Sequence, residues 1–540
     1  MTAGSAPAHA PDRHAELDSD VDVIVVGYGP VGQTLAALLG QRGHRVAVVE
    51  RWPELYGRAR AGHVDAEVMR VLQAVGAAEA VEQDAHLADE YTFRNSDGEI
   101  LLSFDYGAPA VSGWRSDYIF YQPVLEAALD RAVRSCPTVQ VHQGFEATSI
   151  TQDPDGVEVV VRPVGRQADG TRVLGDPARV LRARYLVGAD GANSAVRSAL
   201  GVGWTDLGFR STWLVLDLVP TRPLTFAFDN GQVCDPARPH CLFQLGKHHR
   251  RFEFAALPGE DPATLAEPEV AWQLLARYDV TPADAVMERH AVYEFGSSLA
   301  DRWRVGRAFL AGDAAHLMPP FMGQGMCSGI RDAASLAWRL DLVLQGLAEQ
   351  RLLETYEVER RPHAETLVRM SIAAGEVSCT FDPVVAAARD EAFRTGTAPA
   401  PPDFPTLHGG VLAGVADALA GTLAPQGRAL VGGVAGRFDD VVGRGWVLLS
   451  TVALPTGVDD GLLERLDGRV VVVDGALDVD GSYRDYFQRH HVVAVLQRPD
   501  FQVFGSAARP SDVPALLTRL AAVLPVRAPV PASLTSGARR

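Results

Sequence analysis

Val21-Asp22-Val23-Ile24-Val25-Val26-Gly27-Tyr28-Gly29-Pro30-Val31-Gly32 is the stretch of sequence that decides the fold. A β-branched run of strand length enters a G-x-G-x-x-G motif, and residues 30–41 follow with helical apolar spacing. A second apolar run, residues 46–49, ends at Glu50. This order of strand, glycine turn, helix and strand predicts a βαβ unit of a Rossmann-like α/β domain that binds a dinucleotide.

Each glycine of this motif has its own role in such a unit. Gly27 permits the tight turn, Gly29 lets the backbone approach a pyrophosphate, and Gly32 lets helix and strand pack closely. The helix start at Pro30 and Val31 offers unpaired N–H groups and partial positive charge to the phosphates. Glu50, with Arg51 beside it, stands where a carboxylate accepts ribose hydroxyls. The alternative is a glycine-rich turn of a purely structural sheet.

A second glycine motif, far downstream, changes the expected ligand. Gly312-Asp313 follows a short apolar strand, and His316 and Pro319-Pro320 form a stiff turn before Gly323-Gln324-Gly325. Asp313 can accept a hydroxyl of a flexible polyol such as ribitol. Backbone N–H groups at the helix start after Gly323 can bond a planar ring edge and stabilise negative charge there. The two motifs together predict a flavin, whereas the alternative is a helix start with a structural Asp cap.

Composition limits the class of protein further. A chain of 540 residues predicts two or three domains, and a formal charge of −17 argues against a nucleic-acid partner. Residues 1–20 have no apolar h-region, and no apolar run reaches membrane-spanning length, so we expect a cytoplasmic protein without a membrane partner. The five cysteines form no C-x-x-C pair, which predicts free thiols and no metal site. Lys247 is the only lysine, so a G-x-x-x-x-G-K-[ST] phosphate loop is absent.

The chain divides into segments of different pattern. Nucleotide-type elements at the start are interrupted by β-rich stretches and resume after residue 300, which predicts one composite domain with an insertion. The predicted organisation is a flexible tail (1–20), an FAD-binding domain (21–195 and 300–375, with 85–115 contributing to the substrate domain), a β-rich substrate domain (196–299), a helical and linker segment (376–410), a small α/β domain (411–528) and a tail (529–540).

At this point the sequence resembles the group A flavoprotein aromatic hydroxylases, which share the p-hydroxybenzoate hydroxylase fold. The resemblance covers residues 21–375 and rests on the first glycine motif, Asp190-Gly191 with Ser194 and Arg197, and Gly312-Asp313. Within that family the chain most resembles the 3-(3-hydroxyphenyl)propionate hydroxylases, through residues 234–239, 250–254, 258–260 and 316–332. Residues 498–505 resemble the thioredoxin-like C-terminal domain of these enzymes. No cysteine follows Cys379, so a redox role for that domain is excluded.

The resemblance implies bound FAD, NADH or NADPH as a transient reductant, and O₂ as co-substrate. It implies hydroxylation of a phenol through a flavin C4a-hydroperoxide in aromatic catabolism, with a 3-(3-hydroxyphenyl)propionate-like acid as the expected substrate. The residues carried over are Gly27, Gly29, Pro30, Val31, Gly32, Glu50 and Arg51 for the ADP half, Arg60 and Gln122 for the pyrophosphate and ribityl chain, Asp190 for FAD and nicotinamide use, Gly312 and Asp313 for ribitol, and Pro319, Gly323, Gln324, Gly325 and Met326 for the isoalloxazine edge.

The sequence departs from the family at three positions. Cys327 and Ser335 stand where asparagine is usual, and Ala59 stands where relatives often carry proline. Cys327 would either alter the hydrogen bonding at the flavin edge or be tolerated because the backbone makes the contact. Ala59 puts the assignment of Arg60 in doubt.

No residue identifies itself as the base that activates the phenol. His63, His316, Tyr118 and Tyr293 are candidates, with packing or a satisfied hydrogen bond as the alternative for each. His316, Pro319 and Gly323 would form the flavin-edge environment of catalysis. Arg238 or Arg251 could pair with a substrate carboxylate, and a structural ion pair is the alternative for both.

Other functions remain open from the sequence. A polyketide-type flavin monooxygenase, acting by aromatic hydroxylation or Baeyer–Villiger oxidation, fits the length and the extra C-terminal domain. A flavin halogenase is disfavoured because W-x-W-x-I-P is missing. A flavin-binding scaffold without activity is the non-enzyme alternative. The expected partner is a small phenolic substrate, with a homodimer left open.

Overall fold

The computed structural model describes residues 20–167, 171–454 and 460–527. The expected tails, residues 1–20 and 529–540, lie outside these ranges except for Asp20. The strands are β1 Asp20–Val26, β2 Val46–Glu50, β3 His63–Asp65, β4 Glu90–Arg94, β5 Ile100–Asp105, β6 Asp117–Ile119, β7 Val139–Gln143, β8 Phe145–Gln152, β9 Val157–Arg166, β10 Arg172–Leu174, β11 Arg179–Gly188, β12 Trp204–Pro220, β13 Gly231–Val233, β14 His240–Leu245, β15 His249–Ala255, β16 Ala285–Ala300, β17 Arg304–Val305, β18 Ala308–Leu310, β19 His316–Leu317, β20 Arg428–Val431, β21 Val434–Arg437, β22 Val447–Ser450, β23 Arg469–Val472, β24 Ala494–Gln497 and β25 Val503–Ala507.

The helices alternate with these strands. They are α1 Pro30–Gln41, α2 Ala66–Ala74, α3 Ala78–Asp84, α4 Gln122–Arg134, α5 Ala195–Ala199, α6 Pro262–Leu265, α7 Pro268–Leu275, α8 Gln324–Leu344, α9 Glu354–Ser378, α10 Pro383–Arg394, α11 Phe438–Val441, α12 Gly461–Arg465, α13 Ser482–His490 and α14 Val513–Val523. Short 3₁₀ turns cover Ala276–Tyr278, Gly312–Ala314, Pro320–Met322, Gln350–Leu353 and Pro510–Asp512.

The first sheet is the nucleotide-type sheet that the opening motif predicts. Strand β1 lies between β2 and β11 and is parallel to both, and β18 adds to β11 in the same direction. Strand β1 is a β-branched run with Val23, Ile24 and Val25 fully buried, as expected of a parallel strand covered on both faces. Both glycine motifs follow strands of this sheet, β1 and β18, so they meet at the same edge.

The second sheet has the strand order β19-β16-β12-β15-β14-β13-β4-β5. Strands β4 and β5 come from the N-terminal part of the chain and join the sheet through the parallel pair β4–β13. Side chains alternate along β12 and β15. Leu214, Leu216 and Phe252 face an apolar core under α7, and Asp217 and Arg251 lie on the opposite face. That opposite face contacts the first sheet's domain, because Arg251 donates to the carbonyl of Ala59. We call it the polar face of the second sheet.

The C-terminal unit is built on a four-stranded sheet of order β23-β22-β24-β25, with β20 and β21 as a separate hairpin. Its core is apolar and includes Phe438, Leu449 and Phe487. The division of the chain into domains at the boundaries given above stays a prediction. Within the described ranges, none of the helices combines the length and the apolar character that a membrane crossing requires.

Candidate active site

The first glycine motif forms a cradle at the turn from β1 to α1. Gly27 has φ +106°, and a Cβ there would lie 2.3 Å from the carbonyl oxygen of Ala189. A Cβ on Gly32 would lie 2.1 Å from the carbonyl oxygen of Gly27. A Cβ on Gly29 would meet nothing within 4 Å. Gly27 and Gly32 are therefore required by the fold, while Gly29 lies on open surface at the start of α1, which suits close approach of a phosphate.

Glu50 stands at the end of β2, beside this cradle. Its carboxylate accepts hydrogen bonds from the backbone N–H of Tyr28 at 2.8 Å and of Trp52 at 2.9 Å. These bonds fix the carboxylate next to the phosphate-binding turn, where its remaining lone pairs can accept ribose hydroxyls. Arg51 is exposed, with its guanidinium 5.8 Å from the Trp52 ring centroid.

The side chain of Gln122 supports the loop that carries Arg60. The side-chain oxygen of Gln122 accepts hydrogen bonds from the N–H groups of Arg60 and Ala61 at 2.8 and 2.7 Å. The guanidinium of Arg60 lies over the Tyr56 ring at 4.9 Å and is exposed. The structure therefore gives Gln122 a supporting place behind this loop, and leaves the side chain of Arg60 accessible to a phosphate.

The second motif packs directly on the first. Gly312 has φ +60°, and a Cβ there would lie 3.0 Å from a methyl group of Val31. Asp313, in the same turn, is exposed. Surrounding protein raises the pKa of the Asp313 carboxyl, and the positive charges of His316 and Arg60 oppose that rise. Arg60 and Asp313 are thus close enough for their charges to interact, and both side chains are exposed.

His316 differs from its expected place at the flavin edge. The residue is 1% exposed, and its Nε2 lies 2.7 Å from Asp332, which also accepts the N–H of Gly312. Its ring stacks on Trp303 with centroids 5.3 Å apart. These contacts indicate that His316 supports the Gly312 turn from inside the core, and they leave it no access to a substrate.

Residues 319–326 lie beside the second sheet, since Phe321 packs on Trp213 of β12. Gly323 has φ +65° and is the N-cap of α8, a helix of 21 residues. The first N–H groups of such a helix have no partner within it, so they can bond a ring edge. The side chain of Gln324 turns inward to Asp65 and Arg331, which leaves the backbone of Gly323, Gly325 and Met326 as the contact surface.

Asp190 has a capping role. Its carboxylate accepts from the hydroxyl of Ser194 at 2.5 Å and from the N–H groups of Ala195 and Val196 at 2.7 and 3.1 Å. This arrangement holds α5 against the first glycine motif, because Gly27 lies against the Ala189–Asp190 backbone. Asp190 thus shapes the cleft while its oxygens are occupied.

His63 and Asp117 form a half-buried dyad beside the flavin edge. His63 Nε2 lies 2.6 Å from Asp117 Oδ1, and His63 Nδ1 lies 3.3 Å from the carbonyl oxygen of Gly323. Burial opposes the charged ring, but the oxygens of Tyr106 and Asp117 outweigh it and raise the pKa of His63 well above its ordinary value. The ring of Tyr106 packs on His63 with centroids 5.5 Å apart. Burial raises the pKa of the Tyr106 hydroxyl to about 12.

The two tyrosine candidates have different places. Tyr118 pairs with Val64 in the β3–β6 ribbon, so its side chain lies on the face opposite to His63. It packs on Trp114 in the core, and its hydroxyl accepts the N–H of Arg115. Tyr293 lies on the polar face of the second sheet, half-buried, with its hydroxyl bonded to Arg289. Only Tyr293 of the two is placed near the cleft.

Both candidate carboxylate-binding arginines are held by protein acceptors. Arg238 makes a two-pronged ion pair with Glu260, both contacts at 2.9 Å. Arg251, 3% exposed, pairs with Asp217 at 2.6 and 2.9 Å and donates to the carbonyls of Ala59 and Arg60. These contacts favour the ion-pair alternative for both residues. Arg251 instead ties the second sheet to the loop of Arg60.

Cys327 lies one turn into α8, fully buried, with its sulfur 3.8 Å from the carbonyl oxygen of His63. Burial raises the pKa of its thiol. The thiol thus contacts the backbone of the dyad. Ser335, the other departure from the family pattern, accepts a hydrogen bond from Arg339 at 2.7 Å.

Several residues of this site have no local signal in the sequence. Asp117 and Tyr106 reach His63 only through folding, and the polar face adds Asp217, Glu253 and Arg289. Strand alternation along β12 and β15 could have placed Asp217, Arg251 and Glu253 on one face. Nothing in the sequence joins Asp117 to His63, which is 54 positions away.

Comparisons with known proteins identify the family of the chain. A family model described as an FAD binding domain matches residues 20–371, and the glycine cradle, Glu50 and Asp313 fit that cofactor. The chain therefore belongs to the FAD-binding-domain family and is a flavin-dependent aromatic monooxygenase that uses FAD, NAD(P)H and O₂.

Two relatives match nearly the whole chain. It is 38% identical over 529 residues to a probable NADH-specific resorcinol 4-hydroxylase of Rhodococcus jostii strain RHA1, with 95% of this chain and 97% of the relative covered. It is 32% identical to a 3-(3-hydroxy-phenyl)propionate/3-hydroxycinnamic acid hydroxylase of Comamonas testosteroni, with 96% and 99% covered.

A solved structure shows the same fold. The complex of aklavinone-11 hydroxylase with FAD and aklavinone aligns with a TM-score of 0.74 at 25% identity, covering 93% of this chain and 98% of that one. The expected family and the p-hydroxybenzoate hydroxylase fold are confirmed.

Proposed function

We propose that this enzyme hydroxylates a small, uncharged phenol of the resorcinol kind, with His63 as the proton acceptor. The observation that carries the proposal is the His63–Asp117 dyad against the Gly323 turn, facing the polar face of the second sheet. In the overall reaction, one oxygen atom of O₂ enters the ring and the other leaves as water. NAD(P)H supplies the two electrons.

FAD supplies the electron transfer and oxygen chemistry when it is bound. Gly29, the start of α1 and Glu50 would hold its ADP half, Arg60 its phosphates and Asp313 its ribityl chain. The backbone of residues 323–326 would edge the ring. The closeness of the two glycine turns supports this arrangement, since a Cβ on Gly312 would lie 3.0 Å from Val31 and the charge of Arg60 acts on Asp313.

The dyad is arranged to take a proton at Nδ1. The Nε2–Oδ1 contact of 2.6 Å is short, as expected of a charge-assisted bond, whereas the 3.3 Å from Nδ1 to the carbonyl of Gly323 is long. A phenol hydroxyl can therefore replace that carbonyl at Nδ1. The proton moves from the phenol oxygen to Nδ1, Asp117 stabilises the imidazolium, and the ring becomes electron-rich.

The walls around the dyad are aromatic and exclude water. Tyr106 stacks on Tyr91 with centroids 5.6 Å apart, and the hydroxyl of Tyr91 accepts from Gln232 at 3.1 Å. On the other side Phe321, in the turn before Gly323, packs on Trp213 at 5.8 Å. An apolar enclosure of this kind protects a reactive oxidant from water.

The charges of the polar face favour a neutral substrate. Arg251 and Arg289 are buried, and both donate to the Ala59 carbonyl; Asp217 faces both of them. Burial also raises the pKa of Glu253 beside them. A substrate carboxylate would have to displace protein acceptors from these guanidiniums, and the displaced groups would then be buried without partners. The identity to the resorcinol 4-hydroxylase agrees with this reading.

The test is a substrate panel with the purified FAD-loaded enzyme. Resorcinol, 3-(3-hydroxyphenyl)propionate and a polycyclic phenol such as aklavinone are each followed by NADH and NADPH oxidation and by product mass. We expect hydroxylated product from resorcinol with kcat/KM at least about tenfold above the acid, which corresponds to about 1.4 kcal/mol. The proposal fails if the acid or the polycyclic phenol is the better-coupled substrate.

The acid remains a second candidate because the Comamonas testosteroni relative is named for it. In that case Arg251→Ala should raise KM for the acid by a clearly larger factor than KM for resorcinol, which would rise only through loss of the contacts to Asp217 and Ala59. The name of the Rhodococcus jostii relative supports NADH as the reductant. We also propose a cytoplasmic location, as the sequence predicts.

A further inference from the structure

The C-terminal unit is joined to α2 and α9 through buried charges. Arg70 of α2 is fully buried, pairs with Asp439 at 2.6 and 2.9 Å, and donates to Gln497. Glu359 of α9 accepts from Arg498 at 2.8 Å and pairs with Arg339 of α8 at 2.7 Å. Contacts this specific hold the unit in one orientation on the two helices.

One of these contacts continues to the flavin edge. Gln502, the residue immediately before β25, donates to Glu67 Oε1 at 2.7 Å. The other oxygen of Glu67 accepts from Arg331 Nε at 2.7 Å. Arg331 Nη1 then donates to the side chain of Gln324 at 3.0 Å, and its Nη2 to Asp65 at 2.6 Å. We call Gln502, Glu67, Arg331, Asp65 and Gln324 the relay.

The relay ends on the two segments that carry the proposed chemistry. Gln324 follows Gly323 at the start of α8, and its amide also donates to Asp65 at 3.1 Å. Asp65 caps α2 and lies two positions after His63 in β3. Burial alone would raise the pKa of Asp65, but Arg331 and the N–H of Val68 hold it below its ordinary value. The charged relay thus binds the His63 strand and the Gly323 turn to each other.

We propose that the C-terminal unit is a positioning device for the flavin edge, acting through Gln502 on Glu67 and Arg331. This inference rests on the proposed function in one respect, that residues 323–326 edge the isoalloxazine. Gln502 touches neither the cofactor cleft nor His63, so it is a positioning residue. Its amide fixes one oxygen of Glu67, so that the other meets Arg331 in a single geometry.

The same interface offers a matched control. Gln426 of the C-terminal unit is 2% exposed and exchanges hydrogen bonds with Gln73 of α2 at 3.1 Å in both directions. It also donates to the carbonyl of Ser112 at 2.6 Å. None of its hydrogen bonds reaches a member of the relay. Gln426→Leu therefore removes more hydrogen bonds at the interface than Gln502→Leu, but should leave the relay intact.

The experiment compares FAD-loaded Gln502→Leu and Gln426→Leu with the parent enzyme. Four properties are measured. They are the melting temperature, the visible spectrum of the flavin, its reduction potential, and the H₂O₂ released per NADH with resorcinol. We expect both variants to melt earlier, with Gln426→Leu at least as affected. Only Gln502→Leu should shift the flavin band and potential and release at least three times more H₂O₂. Equal flavin properties in the two variants would overturn the inference.

A second pair of variants keeps the test decisive if Gln502→Leu folds poorly. Glu67→Gln keeps the shape of the side chain and removes its charge, and should reproduce the flavin shift. Adding Gln502→Leu to Glu67→Gln should then cause little further shift, because both act through one path. Full additivity would contradict the relay. The flavin readouts need no substrate, so they decide this inference even if resorcinol proves not to be hydroxylated.

Discussion

Asp117→Asn is the most direct probe of the proposed dyad. The 2.6 Å contact between Asp117 Oδ1 and His63 Nε2 is a charge-assisted bond, and such bonds contribute about 1.5–3 kcal/mol against about 0.5–1.5 for neutral ones. Asparagine keeps an acceptor oxygen and loses the charge, so the imidazolium should lose about 1–2 kcal/mol of stabilisation. At about 1.4 kcal/mol for each unit, the pKa of His63 should fall by about one unit.

The sign of the effect on rate follows from the role of His63. A base works in its neutral form, so kcat/KM should rise with pH through the pKa of His63, which lies above the ordinary value in the parent enzyme. In Asp117→Asn the same rise should begin about one unit lower, with a lower plateau because the weaker base accepts the proton less readily.

The assay is the pH profile of product formation from resorcinol, from about pH 5.5 to about 9, on either side of the ordinary histidine pKa. Asp89→Asn is the control, because Asp89 is almost fully exposed and pairs only loosely with Arg115 at 3.3 Å. An inflection that stays in place in Asp117→Asn, or moves equally in Asp89→Asn, would refute the role assigned to the dyad.

Three further predictions concern the cradle, the polar face and the thiols. Gly29→Ala should fold with an unchanged melting temperature yet bind FAD at least about tenfold more weakly, whereas Gly32→Ala should fail to fold stably, because its Cβ would lie 2.1 Å from the Gly27 carbonyl; flavin fluorescence titration and melting curves separate the two. Asp217→Asn should lower the free energy of unfolding by about 3–5 kcal/mol in urea titrations, because the buried charge of Arg251 then has no carboxylate beside it at position 217. A loss under about 1 kcal/mol would show that the ion pair contributes little to stability. Burial raises the pKa of all five thiols, so the folded enzyme should react slowly with Ellman's reagent at neutral pH and release five equivalents only in denaturant; a fast equivalent from the native protein would contradict this.

Local signals in the sequence predicted the elements around the cofactor cleft well. The helix expected over residues 30–41 is α1, because this stretch has helical apolar spacing and a proline in its first turn. The βαβ unit and both glycine turns follow the same local rules. The helix start expected after Gly323 is found at Gln324, with Gly323 as the N-cap.

Contacts between distant parts of the chain determine the features that the sequence did not predict. Strands β12 and β16 run for 17 and 16 residues, because each pairs along most of its length with the other. The sequence predicted a β-rich segment there, but no local pattern shows such long strands. Helix α9 has a weak apolar stripe and a proline at position 362, so its pattern gave no clear helix. The sequence suggested Arg251 as a substrate-binding residue, because it could not show that folding places Asp217 beside it.

The exclusive use of arginine at the domain contacts has a consequence for the enzyme's working range. A guanidinium stays protonated far into the alkaline range. Burial alone would raise the pKa of Glu359, yet Arg339 and Arg498 lower it to about 2. A depressed carboxyl pKa contributes stability above its unfolded value, and that stability is lost only as pH falls toward about 2. The Glu359 contact between α9 and the C-terminal unit should therefore survive across the whole interval in which His63 titrates. Acid or alkaline loss of activity in that interval will then report proton transfer at the dyad, with the C-terminal unit still held on α9.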